Sequence, residues 1–156
     1  MVLVLAMAAL AQAPPPAQTT DLTNIYAAGI SYNNGGKPQL SGSGLWAHKV
    51  ADTGTYAFTV VDVVTVSKKP FTVSTNFGLG VAQKVFTIGK VPVFVPTSAG
   101  VSYTGGNTGW AWSTGALASI PFKGQYRIMP NVRLIKSSVD TNGYQPVIGV
   151  MFGWGQ

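Results

Sequence analysis

Residues 71–81 decide the fold and read Phe-Thr-Val-Ser-Thr-Asn-Phe-Gly-Leu-Gly-Val. A period of two residues, with apolar side chains on one face and small polar ones on the other, is typical of a β-strand. The apolar face carries Phe71, Val73, Phe77, Leu79 and Val81, and the other face carries Thr72, Ser74, Asn76, Gly78 and Gly80. A sheet that faces water normally carries Lys and Glu there. The pattern therefore predicts a barrel with lipid outside and a narrow, weakly polar interior.

The composition of the whole chain agrees with a membrane environment. Of its 156 residues, 46% are hydrophobic and 9% are charged, and the mean hydropathy is +0.26. A soluble globular domain carries about 25% charged residues. No segment of the mature part is apolar over the roughly 20 residues that a spanning helix needs, so a membrane would be crossed by strands.

Eight β-rich runs follow one another, separated by turn residues. They cover residues 23–32, 43–50, 55–66, 71–85, 91–104, 108–120, 126–138 and 144–154. Short connections pair sequential strands antiparallel, and closure avoids unpaired edges in lipid. The predicted fold is all-β, a closed eight-stranded antiparallel up-and-down (meander) transmembrane β-barrel. Pro92, Pro96 and Pro130 lie inside these runs and predict bulges or local unpairing.

The N-terminus predicts a signal peptide over residues 1–13. Residues 2–10 are apolar, and Ala11-Gln12-Ala13 fits the small-x-small pattern of a cleavage site. A disordered or docked apolar tail is the alternative. The absence of Lys or Arg before the apolar run points to a mis-assigned start or a truncated gene. Residues 14–22 form a Pro-rich, polar segment, and residues 23–156 form the barrel domain.

Four residues of the third and seventh runs are candidates for a polar cluster in the lumen: Asp62, Arg127, Asn131 and Arg133. Asp62 is the only acid within a predicted strand. A pair with Arg133 or Arg127 inside the barrel would avoid an unpaired buried charge and would form a polar lumen plug. The equally open alternative places Asp62 at the rim, in water.

Aromatic residues concentrate near the ends of the predicted strands. Amphipathic rings at this position lie at the level of lipid headgroups. The expected aromatic girdle consists of Tyr26, Tyr103, Trp110, Trp112, Tyr126, Tyr144, Phe152 and Trp154.

Catalytic and metal chemistry find little support in the sequence. His48 is the sole histidine, Glu and Cys are absent, and no Gly-x-Ser-x-Gly motif is present. We therefore expect no catalytic residues, no cofactor and no metal site. The net charge is +6, but the basic residues are scattered between turns and the seventh run, where Arg127, Arg133 and Lys136 lie. They form no basic stripe with interleaved aromatic residues, which argues against a nucleic-acid partner. They either solubilise turns or contact anionic lipid headgroups and lipopolysaccharide phosphates.

The last run, Ile148-Gly149-Val150-Met151-Phe152-Gly153-Trp154, completes a resemblance. Together with the signal-like start and the short-loop meander, it resembles the small outer-membrane β-barrels of Gram-negative bacteria, similar in plan to the transmembrane domain of outer-membrane protein A. The resemblance covers residues 22–156. It implies that Ile148, Val150, Phe152 and Trp154 form the C-terminal signal read by the barrel assembly machinery, although this chain ends in Gly155-Gln156 instead of an aromatic residue.

The same resemblance implies termini in the periplasm and loops around residues 33–42, 67–70, 105–107 and 139–143 outside the cell. These loops are unusually short for the family, which argues against an adhesin or a receptor. The predicted function is that of a monomeric, non-catalytic outer-membrane protein with a structural or lipid-interacting role in the envelope, and with membrane lipid and lipopolysaccharide as partners. A soluble lipocalin-like barrel around a small hydrophobic ligand is the first alternative, because it would turn the apolar face inward. A narrow, porin-like pore for small solutes is the second.

Overall fold

The computed structural model describes residues 22–33, 39–68, 71–139 and 144–156, and this part of the chain is almost entirely β-strand. The predicted signal peptide and the Pro-rich segment up to residue 21 lie outside the described residues. Within the described part, no helix is long and apolar enough to span a membrane.

One antiparallel sheet contains all the described strands. They are β1 (Asn24–Asn33), β2 (Gln39–Ala51), β3 (Thr55–Lys68), β4 (Phe71–Ile88), β5 (Val91–Thr104), β6 (Asn107–Ala118), β7 (Ile120–Lys123), β8 (Tyr126–Ser137) and β9 (Tyr144–Gly155). The sheet closes because β1 pairs with β9 and β8 pairs with β6 and β7. Since β7 continues β6 at the same place in the ring, the fold is a closed eight-stranded meander, and the predicted fold is confirmed.

The sixth predicted run is broken, and the reason is a proline on the opposite strand. Leu117 pairs with Asn131 and Ile120 pairs with Ile128, so Ala118 and Ser119, which are unpaired with β8, lie opposite Pro130 and Met129. Proline has no N–H to donate to the ladder. A similar gap opens beside Pro96 between β5 and β6, because the pairs there pass directly from Phe94 to Thr97.

The two ends of the barrel differ in their connections. The terminal end holds Leu22, Gln156 and the turns at residues 52–54, 89–90 and 124–125, whereas the loop end holds the turn at 105–106 and the strand ends at Asn33, Lys68 and Ser137. At the loop end, Gly105 and Gly106 have φ of 56° and 90°. Two successive positive φ values define the type I′ turn, which matches the twist of a hairpin and favours glycine.

The strand register sets the width of the barrel. A row of directly paired residues starts at Tyr126 on β8 and passes through β9, β1, β2, β3, β4, β5 and β6 in turn. It returns to β8 at Lys136, ten residues further along. With about 3.3 Å per residue and about 4.8 Å between strands, this shift tilts the strands by about 41° and gives a backbone radius of about 8 Å. Side chains therefore fill the lumen.

The apolar face points outward, as the alternation predicts. Leu79 is 58% exposed, Ile148 is 56% exposed and Phe152 is 47% exposed, whereas Ser98, Ser102 and Ser113 are buried inside. The soluble-barrel alternative requires the opposite arrangement.

The prediction of a weakly polar interior is wrong for the terminal half of the lumen. That half contains a continuous apolar core: Leu22, Ile25, Ala27, Ala47, Tyr56, Phe58, Val60, Phe94, Leu117, Met129 and Met151. The small polar residues that suggested a polar interior lie mainly on β4 and β5 towards the loop end. A narrow lumen needs filling along its whole length, and near the terminal end large apolar side chains supply the volume.

Two glycines provide a matched test of this packing. A Cβ on Gly100 would collide with the carbonyl oxygen of Phe77 on β4, whereas a Cβ on Gly44 would meet no atom within 4 Å. We expect Gly100→Ala to destabilise the barrel by about 1–3 kcal/mol, as overpacking does. Gly44→Ala should be neutral or stabilising by about 0.5 kcal/mol, because alanine restricts the unfolded chain. Urea unfolding of both variants in lipid vesicles measures the difference, and equal effects would contradict the close strand contact.

Candidate functional site

A salt bridge crosses the lumen. Asp62 lies on β3 and Arg133 lies on β8, and three strand positions separate β3 from β8 in either direction around the ring. Arg133 Nη2 donates to Asp62 Oδ1 at 2.7 Å, and Nη1 donates to Oδ2 at 3.0 Å. The two residues are 4% and 6% exposed. The two-pronged contact therefore joins opposite walls of the barrel and is shielded from water.

Ser43 on β2 completes this site and was not predicted from the sequence. Its Oγ donates to Asp62 Oδ1 at 2.5 Å and accepts from Arg133 Nη2 at 3.2 Å. Ser43 is the direct pairing partner of Asp62 in the β2–β3 register. A buried ion pair needs such additional hydrogen bonds to offset its loss of hydration.

The other two residues of the predicted cluster lie elsewhere. Arg127 precedes Arg133 by six residues on β8 and so lies about 20 Å away along the strand, at the terminal end. Asn131 is buried two residues before Arg133, and its Nδ2 donates to the carbonyl of Met129 at 3.4 Å. The structure therefore brings Asp62 and Arg133 together, places Asn131 towards the terminal end, and separates Arg127 from the ion pair.

Small polar pairs fill the lumen beside the ion pair and between it and the loop end. Ser98 and Ser113 are 2.8 Å apart through their Oγ atoms, Thr104 Oγ1 donates to Ser74 Oγ at 2.7 Å, and Asn33 Nδ2 donates to Gln145 Oε1 at 2.5 Å. A cavity of about 20 Å³ beside Asp62 and one of about 30 Å³ in the apolar core have room for about one water each. This filling argues against the pore alternative.

Aromatic side chains lie on the outer surface at both ends of the barrel. At the terminal end, Tyr26 pairs with both Trp46 and Trp154, and its ring stacks on Trp154 at 5.9 Å. At the loop end, Trp112 meets Tyr144 edge to face at 5.7 Å. All eight predicted girdle residues are half-buried or exposed on the outer face; Trp46 was missed because only the strand register shows its place beside Tyr26.

The spacing of these aromatic residues matches a bilayer. Tyr144 and Trp154 are ten residues apart on β9, which at the derived tilt is about 25 Å along the barrel axis. Among the described side chains, none that is charged lies on the outer face between the two levels. Lys136 marks the loop-end level, where its Nζ lies 4.9 Å from the centre of the Tyr144 ring.

His48, the sole histidine of the sequence, lies on the opposite face of the sheet from Asp62. His48 faces outward near the terminal end, with Nδ1 2.9 Å from Asn24 Oδ1. Across residues 22–33, 39–68, 71–139 and 144–156, no group of three His, Cys, Asp or Glu side chains could hold a metal ion.

The last strand carries the residues of the predicted assembly signal. Ile148, Val150, Phe152 and Trp154 all point outward from β9. This strand pairs with β1 on one side and β8 on the other, so it links the first strand of the chain to β8.

A closed eight-stranded meander with an apolar exterior and a filled lumen defines the class of small transmembrane β-barrels. The crystal structure of Neisserial surface protein A is similar, with a TM-score of 0.68 and 10% identity over 85% of this chain and 96% of that one. The N-terminal β-barrel domain of Pseudomonas aeruginosa OprF gives a TM-score of 0.55 and 9% identity over 85% and 98% of the two chains.

A de novo designed transmembrane β-barrel gives a TM-score of 0.52 and 14% identity over 88% of this chain and 99% of that one. No family model and no curated protein matches the chain by sequence. The chain thus shares the fold of small outer-membrane β-barrels, at low sequence identity.

The ion pair generates the first site prediction. Asp62→Asn leaves the Arg133 guanidinium buried without its counter-charge, which typically costs about 3–5 kcal/mol. We expect a corresponding loss of stability, measured by urea unfolding in vesicles. The temperature above which the barrel no longer migrates in gels as the faster, folded form gives a second measure.

A double variant controls for the change in shape. Asp62→Asn with Arg133→Met removes both charges and retains most of the volume, so it should recover most of the lost stability. A single variant as stable as the wild type would show that the ion pair has no structural role.

The outer face generates the second site prediction. Leu79 lies near the middle of the apolar band, where an arginine costs about 2–4 kcal/mol. Phe122→Arg, at the terminal end, is the matched control and should cost at most about 1 kcal/mol. Unfolding of Leu79→Arg and Phe122→Arg in vesicles measures both, and similar stabilities would contradict the placement of the membrane.

Proposed function

We propose that this chain is a non-catalytic barrel of the outer membrane of a Gram-negative-type bacterium, with a structural or lipid-interacting role in the envelope. The observation that carries the proposal is the outer face. An apolar band without a described charged side chain extends between two aromatic levels about 25 Å apart, the height of the apolar band in outer-membrane barrels. Hydrocarbon is the environment that such a surface needs.

The filled lumen supports a structural role over transport. The apolar core closes the terminal half, and the Asp62–Arg133 pair with Ser43 spans the lumen above it. The outer loops predicted from the sequence are short, which leaves little surface for an adhesin or a receptor.

Three partners follow from this proposal. Membrane lipid surrounds the apolar band, and lipopolysaccharide phosphates are within reach of Lys136 at the loop-end aromatic level. The barrel assembly machinery recognises the outward residues of β9, namely Ile148, Val150, Phe152 and Trp154. A monomer suffices, because closure leaves the sheet no free edge for pairing between copies.

Membrane fractionation tests the proposal. We expect the full chain to separate with the outer membrane and to migrate faster in gels before heating than after heating, because the closed barrel resists unfolding by detergent. Recovery in the soluble fraction, with a mobility that heating does not change, would refute it.

The absence of cysteine in the sequence allows the orientation to be tested by single substitutions. Asn107→Cys lies at the loop end and Thr53→Cys lies in a turn of the terminal end. We expect a membrane-impermeant maleimide to label Asn107→Cys in intact cells, and to label Thr53→Cys only after the outer membrane is permeabilised. The reverse pattern would invert the proposed orientation.

A further inference from the structure

A cavity of about 450 Å³ opens at the terminal end of the barrel, on the far side of the apolar core from the ion pair. We call it the vestibule. Its inner wall consists of Ile25, Tyr56 and Phe94, and the last two rings meet edge to face at 5.7 Å. Leu22 also lines it and accepts a hydrogen bond from Tyr56 Oη at 3.0 Å. The inner wall of the vestibule is therefore apolar and well packed.

One side of the vestibule is formed by a hairpin that extends beyond the rest of the rim. Gln83 on β4 pairs with Thr55, the first residue of β3, so the following residues of β4 continue past β3 with β5 alone. A register shift between Lys84 and Phe86 then interrupts the alternation of the strand. Such a bulge redirects the side chains that follow it.

The bulge gives this hairpin two different faces. Lys84, Thr87 and Lys90 line the vestibule, whereas Phe86 and Ile88 are 54% and 50% exposed on the other side. An apolar outer face at this height continues the lipid-facing band. The mouth of the vestibule would therefore lie beside the membrane surface.

The charged groups around the vestibule are mainly basic. Lys84, Lys90 and Arg127 line it, and Asp52 is the one acid among its described lining residues. Asp52 also lies 3.3 Å from Lys49 Nζ. A pocket with an apolar interior and a few convergent charged groups is the usual form of a small-molecule site.

We propose that the vestibule binds a single-chain anionic amphiphile. The hydrocarbon chain would lie against Tyr56 and Phe94, and the acidic headgroup would lie at Lys84 and Lys90. The volume falls within the range of about 300–1,000 Å³ found for ligand pockets and suits one acyl chain better than a two-chain phospholipid. The inference rests on the proposed function in one respect, because the membrane surface would supply the ligand.

Equilibrium dialysis of radiolabelled laurate tests this inference with the full chain in phosphatidylcholine nanodiscs. Binding above that of empty nanodiscs should saturate at one laurate per barrel. Monolaurin carries the same acyl chain without a charge, and it should displace laurate much less effectively. Lauroyl lysophosphatidylglycerol distinguishes two sources of the headgroup. Displacement by this lipid supports a site for phosphate as well as carboxylate headgroups, whereas its failure to displace supports a carboxylate site.

Two variants separate the contributions of charge and space. Lys84→Gln with Lys90→Gln should weaken laurate binding by about tenfold, the effect of losing two partly exposed charge contacts. Thr87→Trp keeps the charges but fills the cavity, so it should abolish the saturable component. Lys123→Gln removes a lysine at the same end that does not line the vestibule, and it should bind like the wild type.

Binding that never saturates, equal displacement by monolaurin, or unchanged binding in both vestibule variants would overturn the inference. Each preparation is first checked for insertion and for heat-modifiable mobility. A barrel that passes these checks but binds no laurate contradicts the vestibule site alone. A chain that fails them contradicts the proposed membrane function.

Discussion

Closure of the sheet through β8 is the interaction on which the rest of the molecule depends. In lipid, each unpaired backbone N–H or C=O costs several kcal/mol, so a sheet with an open edge would not be stable there. Closure with eight strands and a shift of ten residues fixes the radius, and the radius decides what the interior can hold. A single layer of side chains from each wall already meets at the axis. The filled lumen is thus a consequence of the register.

The lumen is filled in two physically different ways. Near the terminal end, aromatic rings and methionines supply volume at no electrostatic cost. Towards the loop end, hydroxyl and amide groups pair with one another, and the buried Asp62–Arg133 ion pair also contacts Ser43. A buried salt bridge gains little net stability over a well-packed apolar replacement. Its distinct contribution here is geometric, because the two-pronged contact fixes β3 and β8 across the ring from each other.

Alternation along single strands was enough to predict much of the fold. The pattern of residues 71–81 predicted strand, face and lipid exposure together, because its two faces differ sharply in size and polarity. On β3 both faces are largely apolar, with Tyr56 and Phe58 on one side and Val61 and Val63 on the other, so alternation could not show which side fills the lumen. The apolar core was therefore missed.

Contacts between strands were harder to predict, since they depend on the register and on the shift around the ring. Arg127 and Arg133 occupy the same face of β8, and nothing within that strand distinguishes them as partners of Asp62. Because the strands are tilted, the position of each residue along the barrel axis decides which arginine lies level with Asp62, and that residue is Arg133. The same reason explains why Ser43 and Trp46 escaped prediction: each is defined by the residue opposite it on the next strand.

The positions of the charges follow from the cost of placing them in lipid. An arginine or lysine on the mid-bilayer face loses about 2–4 kcal/mol, so the described charged side chains lie in the lumen, at the terminal end or at the loop-end aromatic level. Solubility alone would be served by a lysine at any exposed position beside a turn, such as Lys123 at the end of β7. Lys84 and Lys90 instead line a cavity whose inner wall is apolar. They belong to the β4–β5 hairpin, whose opposite face exposes the apolar side chains of Phe86 and Ile88. That combination of an apolar wall and a basic rim is the chemistry of an amphiphile site, and the bulge between Lys84 and Phe86 creates it.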